Sequence, residues 1–215
     1  MRRAITVLVL SAVMATAAHA QPGNHLALGP GVGFNSYADK SFTGRGVSII
    51  PEYHLGLTPH SRRDGFSFGL KGGIGYATPD RHDFIGGTET TSGSLRLVPV
   101  MVGAGPSYRS GPLRVGVGVV AGPSFNKFSV DPAASAAYRD RLDATLNSIE
   151  VKNSVAVRPD ASIWYNLTPS VALHTAAGYT FNRPQVKTTV DGVTTTTRWN
   201  TDRLGYQVGL TYGVF

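Results

Sequence analysis

Along most of this chain, large apolar side chains alternate with glycine, alanine and serine. In Leu113 to Phe125, LRVGVGVVAGPSF, one face of an extended strand holds Leu113, Val115, Val117, Val119 and Ala121. The other holds Arg114, Gly116, Gly118, Val120, Gly122 and Ser124. Period-two alternation predicts a β-strand with two different surroundings. Seven further stretches repeat it: 24–34, 45–57, 66–76, 97–108, 154–167, 171–181 and 203–214. Past Arg45 at the opening of its stretch, none of the eight apolar faces carries a charge; Glu52, His54, Lys71, Arg114, Arg158, Asp160, His174 and Arg203 all fall on the small faces. A soluble two-faced sheet would present a Lys-, Glu- and Thr-rich outer face. Here the greasy face meets lipid and the small face a narrow polar interior.

Connections between these stretches alternate in length. TPHSRRDG, RSGP and TPS are short, and the links between them are long. Short turns on one rim and long loops on the other characterise an up-and-down transmembrane barrel. Segments of about ten residues suit tilted strands crossing a bilayer. Hydrocarbon offers no hydrogen-bond partner, so such a sheet must close on itself. The expected fold is therefore all-β: a closed antiparallel transmembrane barrel of about eight strands, filling residues 21–215. The rings of Phe34, Phe66, Tyr76, Tyr108, Tyr165, Tyr179, Tyr206 and Tyr212 cluster near segment ends on the apolar face. That is where aromatic girdles sit at a membrane–water interface. Pro30, Pro51, Pro99, Pro106 and Pro159 lie inside segments, and proline removes a ladder donor, so bulges or strand ends are expected there.

Two loops carry signals of their own. In the third long loop, Asp131 is placed to cap a short helix opened by Pro132, with Tyr138, Leu142 and Leu146 recurring at i, i+4 and i+8. This helix would either lid the barrel mouth or serve surface recognition. VKTTVDGVTTTTRW reads as a hairpin about Asp191-Gly192. It would extend the last two strands above the membrane and offer a Thr-rich edge for strand addition.

Composition sharpens the setting. Charged residues make up 15% of the 215, with 26 Gly, 13 Pro and no Cys, which excludes disulfides and thiolate metal sites. The one long apolar run is MRRAITVLVLSAVMATAAHA. Arg2 and Arg3, an apolar stretch from Ala4 to Ala17 and the Ala18-His19-Ala20 site define a signal peptide over residues 1–20, cleaved after Ala20 and exported through the Sec pathway. Its two arginines leave with it, lowering the formal charge from +7 by two. The mild basic balance suits anionic headgroups and does not announce nucleic acid.

The strand pattern, loop alternation and terminal GYQVGLTYGVF make the whole mature chain resemble the small eight-stranded outer-membrane barrels, the OmpA-like transmembrane domain and OmpX among them. The resemblance implies a cell outer-membrane location, contact with outer-membrane lipid and lipopolysaccharide, and Phe215 as the terminal aromatic read by the barrel-assembly machinery. Tyr212 and Leu210 stand three and five residues before the end, where the family pattern has two and four, so Phe215 is expected to follow a bulge. No peptidoglycan-binding domain is expected after the barrel, so the resemblance to full-length OmpA stops there.

The expected role is structural or surface-interactive, in a monomer whose loops contact an extracellular ligand, with no cofactor and no catalysis. A narrow passive pore is the alternative. The other is a lipid A-modifying enzyme, a class also found among small outer-membrane barrels. Ser162 and Asp160 share a face beside the strand of His174, but His174 lacks the serine two residues on that the deacylase pattern requires. GVGVVAG lacks the strand-to-helix turn and Lys-Ser/Thr ending of a phosphate loop. The interior charges are expected to neutralise one another in pairs.

Overall fold

The computed structural model describes residues 25–43, 48–57 and 64–213. The expected signal peptide and Phe215, with its expected bulge, lie outside the described residues. The eight wall strands are β1 (His25–Tyr37), β3 (Ser48–Leu57), β4 (Gly65–Ile74), β6 (Thr88–Ser110), β7 (Leu113–Val130), β9 (Ser154–Asn166), β10 (Val171–Asn182) and β13 (Arg203–Gly213). They pair antiparallel in the order β6-β4-β3-β1-β13-β10-β9-β7, and β7 returns to β6. The ring is closed, so the wall has no edge strand. Among the described residues no helix is long and apolar enough to cross a membrane.

Burial follows the alternation read from the sequence. Val115, Val117, Val119, Val208 and Leu210 point outward and are exposed, while Gly116, Val120, Gln207 and Thr211 point inward and are buried. For a protein whose outer solvent is acyl chain, an exposed valine costs nothing. At the end where β1 begins and β13 finishes, the near end, links are short; Gly111, for example, turns β6 into β7 with φ of 55°. All longer excursions lie at the far end.

The in-strand prolines differ from expectation. β1, β3, β6 and β9 run through them without a bulge, and the register of every wall pair is unshifted. Pro30 stands opposite Pro51, so two missing donors fall at one cross-strand position. Elsewhere pairing lapses beside the proline and resumes in the same register, as between Gly178↔Asp160 and Phe181↔Val157 around Pro159. Losing one ladder bond is local, whereas a one-residue slip would turn every side chain of the strand around.

Far-end excursions add β2 (Phe42–Thr43), β5 (Asp80–Ile85), β8 (Leu146–Val151), β11 (Gln185–Val190), β12 (Val193–Arg198) and one helix, α1 (Pro132–Leu142). β5 and β2 continue the sheet beyond the start of β6. Asp131 caps α1, its Oδ1 accepting from the Ala133 N–H at 2.8 Å, and Pro132 opens it. The buried face is only partly the one the periodicity indicated. Ala134 and Ala137 pack against Ile85, with Tyr138 and Leu146 half-buried beside them, while Leu142 is exposed and Leu146 belongs to β8. Alanine lets the helix approach the β5–β6 hairpin closely, and Arg141 fixes it by donating to the Ile85 carbonyl and Thr90 Oγ1.

The expected hairpin forms, with Asp191 and Gly192 at φ of 48° and 77°. It does not extend β10 and β13, however. β11 pairs with β8, making a separate three-stranded sheet β12-β11-β8. Two features divert the chain. Thr201 donates to the Asn182 carbonyl through both its N–H and its hydroxyl, sealing the end of β10, and Pro184 follows with no N–H to give. All of β12 is exposed, and one of its edges pairs with no described strand.

Candidate functional site

The interior is built from the small faces of the strands, and its chemistry divides into a polar lumen and an apolar cap. Lys71 on β4 reaches across to Asp160 on β9, Nζ to Oδ1 at 2.5 Å. These strands stand three steps apart around the wall, so the ion pair spans the lumen. A Cβ at Gly118, on intervening β7, would lie 3.1 Å from Lys71 Nζ, which shows why a glycine stands there. Lys71 also donates to Ser162 Oγ at 3.3 Å, and Ser162 in turn donates to the Gly116 carbonyl. Beside them His174 stacks on Trp164, centroids 4.7 Å apart and planes 22° from parallel, and Lys71 Nζ lies 5.9 Å from the Trp164 ring centre.

The other charges singled out from the sequence fall at different depths. Arg114 stands near the near end, in register with Trp164. Arg158 and Arg203 are buried toward the far end, on the strands flanking β10. Glu52 and His54 occupy β3 opposite Gly29 and Ala27; their side chains lie outside the described residues. Asp160, Ser162 and His174 are close by register, but the Asp160 carboxylate is held by Lys71. Among the described residues no group of three or more His, Asp and Glu could hold a metal ion.

Sequence reasoning missed the cap. Phe42, Leu95, Leu97, Phe128, Val186 and Trp199 form a buried apolar cluster at the far end. Its rings run in a chain from Tyr37 to Phe42 at 6.0 Å, to Trp199 at 5.7 Å and to Phe128 at 5.0 Å. Tyr37 ends β1 and Phe128 lies on β7, four steps around an eight-strand ring. The chain of rings therefore crosses the mouth. Arg81 lies over both Trp199 (4.2 Å) and Phe42 (5.1 Å) while its guanidinium holds Asp83. The one sequence signal was a pair of inward leucines, Leu95 and Leu97, where the rest of β6 turns inward Pro99, Met101, glycine and serine.

On the outer surface, Phe34, Phe66, Tyr76, Tyr108, Tyr165, Tyr206 and Tyr212 are exposed and Tyr179 is half-buried. Phe66 packs on Tyr108 at 4.9 Å and Tyr179 on Phe181 at 4.8 Å. An apolar groove of about 490 Å³ lies among Phe66, Tyr108, Val117, Ile163 and Tyr206.

Comparison with known proteins agrees with this architecture. The family model described as "Outer membrane protein beta-barrel domain" matches residues 5–214. No curated protein matches the sequence. Among solved structures, the chain is similar to the outer membrane protein OprG from Pseudomonas aeruginosa, with 9% identity, a TM-score of 0.63, and 89% of this chain and 96% of that one covered. A major outer membrane protein from Thermus thermophilus matches at 17% identity and TM-score 0.55, over 89% of this chain and 100% of that one. The outer membrane protein AlkL, solved in DMPC lipid bilayers, matches at 15% and 0.52, over 89% and 90%. At such identities the likeness is one of fold.

Proposed function

Since the chain belongs to the outer membrane protein β-barrel domain family, we propose that it serves the cell envelope as a capped barrel that displays surface structure and does not pass solutes. The observation that carries this reading is the chain of rings from Tyr37 to Phe128 across the far mouth. A buried apolar cluster excludes water from the path that an open pore requires. Below it the Lys71–Asp160 bridge crosses the lumen as a strut.

In this reading the far end faces the outside of the cell, and α1 and the three-stranded sheet stand above the lipid. The fully exposed strand β12 offers backbone groups to an extracellular ligand by strand addition. Outward aromatics from Phe34 to Tyr212 anchor the barrel at its two interfaces with lipid and lipopolysaccharide. Residues 1–20 direct Sec export and are removed. Phe215 is read by the assembly machinery, and the barrel acts as a monomer. Catalysis is not part of this role, because a carboxylate neutralised by Lys71 is not available to orient His174.

The test is electrical. Full chain refolded in detergent and showing the heat-dependent gel shift of a closed barrel is added to a planar bilayer. No steady conductance is expected, and reproducible open channels would overturn the reading in favour of a passive pore.

A further inference from the structure

We propose that the barrel interior binds a small oxyanion, of the phosphate or carboxylate kind, between Arg158 and Arg203 directly beneath the aromatic cap. Arg203 pairs in register with Thr180 of β10 and with Tyr37 of β1. Arg158 stands on the opposite flank of β10, between Asp160 and Val157, whose partners Gly178 and Phe181 bracket Thr180. The two arginines therefore share one cross-strand row, their backbones separated by two strand spacings, about 10 Å. Both point inward and are only 6% and 5% exposed. The Arg158 side chain leans over β10, the strand between the two arginines, with its Nε against Gly178.

Neither guanidinium has the partner that burial demands. Arg158 Nε and Nη2 and Arg203 Nη1 are enclosed, yet no described residue accepts from them, and the Tyr37 hydroxyl beside Arg203 is likewise unpartnered. Described carboxylates nearby are committed elsewhere. Asp160 holds Lys71, and Asp202 holds Arg183 and the Asn182 N–H. Asp160 lies close to Arg158 beside Gly178, but one carboxylate does not neutralise Lys71 and two buried guanidiniums together, and uncompensated buried charge is strongly destabilising. The wall also makes room for the cation: a Cβ on Gly178 would collide with Arg158 Nε, so a glycine stands where the arginine needs space. Guanidinium forks recognise planar and tetrahedral oxyanions bidentately, and the phenol of Tyr37 adds a donor.

The experiment uses the full chain refolded in detergent, titrated with inorganic phosphate or with labelled acetate at ionic strength held constant with chloride. Binding is read from the phosphorus linewidth of phosphate and the carbon linewidth of acetate in NMR. A saturable response to either anion is expected, and which one responds identifies the ligand kind. Arg158→Gln and Arg203→Gln, each verified by the gel shift, should weaken it at least tenfold, while Lys187→Gln on β11 should leave it unchanged. If a glutamine variant does not fold, Arg158→Lys and Arg203→Lys keep the charge and remove the fork, and the same weakening is expected. Absence of saturation by both anions in the parent protein overturns the proposal, as does equal binding by the variants.

Discussion

Replacing Asp160 by asparagine isolates the strut across the lumen. Side chains of Lys71 and Asp160 are only 11% and 8% exposed, so the ammonium left behind could not reach bulk water. At an effective dielectric constant of about 20, two unit charges about 4 Å apart attract by about 4 kcal/mol. Removing one member of a buried pair costs about 3–5 kcal/mol, because the other charge remains desolvated. Replacing both, as in Lys71→Met with Asp160→Leu, removes the desolvation along with the attraction and should recover most of that loss. The assay is a double-mutant cycle over Lys71→Met, Asp160→Leu and the two combined, with Asp160→Asn alongside, on urea unfolding of the refolded protein in detergent, followed by the gel shift. Each single variant should unfold at clearly lower urea, with a coupling of about 2 kcal/mol or more between the sites. If both singles unfold within about 0.5 kcal/mol of the parent, the pair is solvated and no strut exists.

Three further outcomes follow from the geometry. Trp199→Ala should cost about 3–5 kcal/mol, since Trp199 is buried between Phe42, Phe128 and Arg81, and should admit transient conductance in a planar bilayer; a silent, equally stable variant would refute the cap. Gly105→Ala should destabilise the wall by about 1–3 kcal/mol, because its Cβ would overlap the Val117 carbonyl oxygen; an unchanged urea midpoint would exclude that close approach. Burial, and after it the charge of Asp83, raises the Tyr138 phenol above its ordinary value of 10.0. The folded protein thus retains this proton where the unfolded chain loses it, so the contribution is complete below about pH 10 and disappears as pH rises through the raised value. Melting temperature should therefore fall more steeply above about pH 10 in the parent than in Tyr138→Phe, and parallel slopes would contradict it.

Alternation alone determined the wall. A period of two with uncharged apolar faces has one stable outcome when the outer solvent is hydrocarbon, since only closure satisfies every backbone donor; thus Val115 outward and Gln207 inward were legible residue by residue. Loop lengths likewise marked the near and far ends, and Asp131 announced the start of α1. Tertiary structure decided what local pattern cannot encode. Pro30 and Pro51 keep their strands because each faces the other across one pair, a matter of register between segments. Ala134 and Ala137 became the buried face of α1 because the β5–β6 hairpin offered a close partner, which helical periodicity does not reveal. Phe42, Phe128 and Trp199 lie far apart in sequence and meet only because the closed ring brings β1 and β7 to opposite sides of one narrow mouth. The pairing of Lys71 with Asp160, and the stranding of Arg158 and Arg203, depended in the same way on which positions face across the lumen. Local pattern decides a side chain's face of the sheet; barrel shear and strand order decide its opposite number.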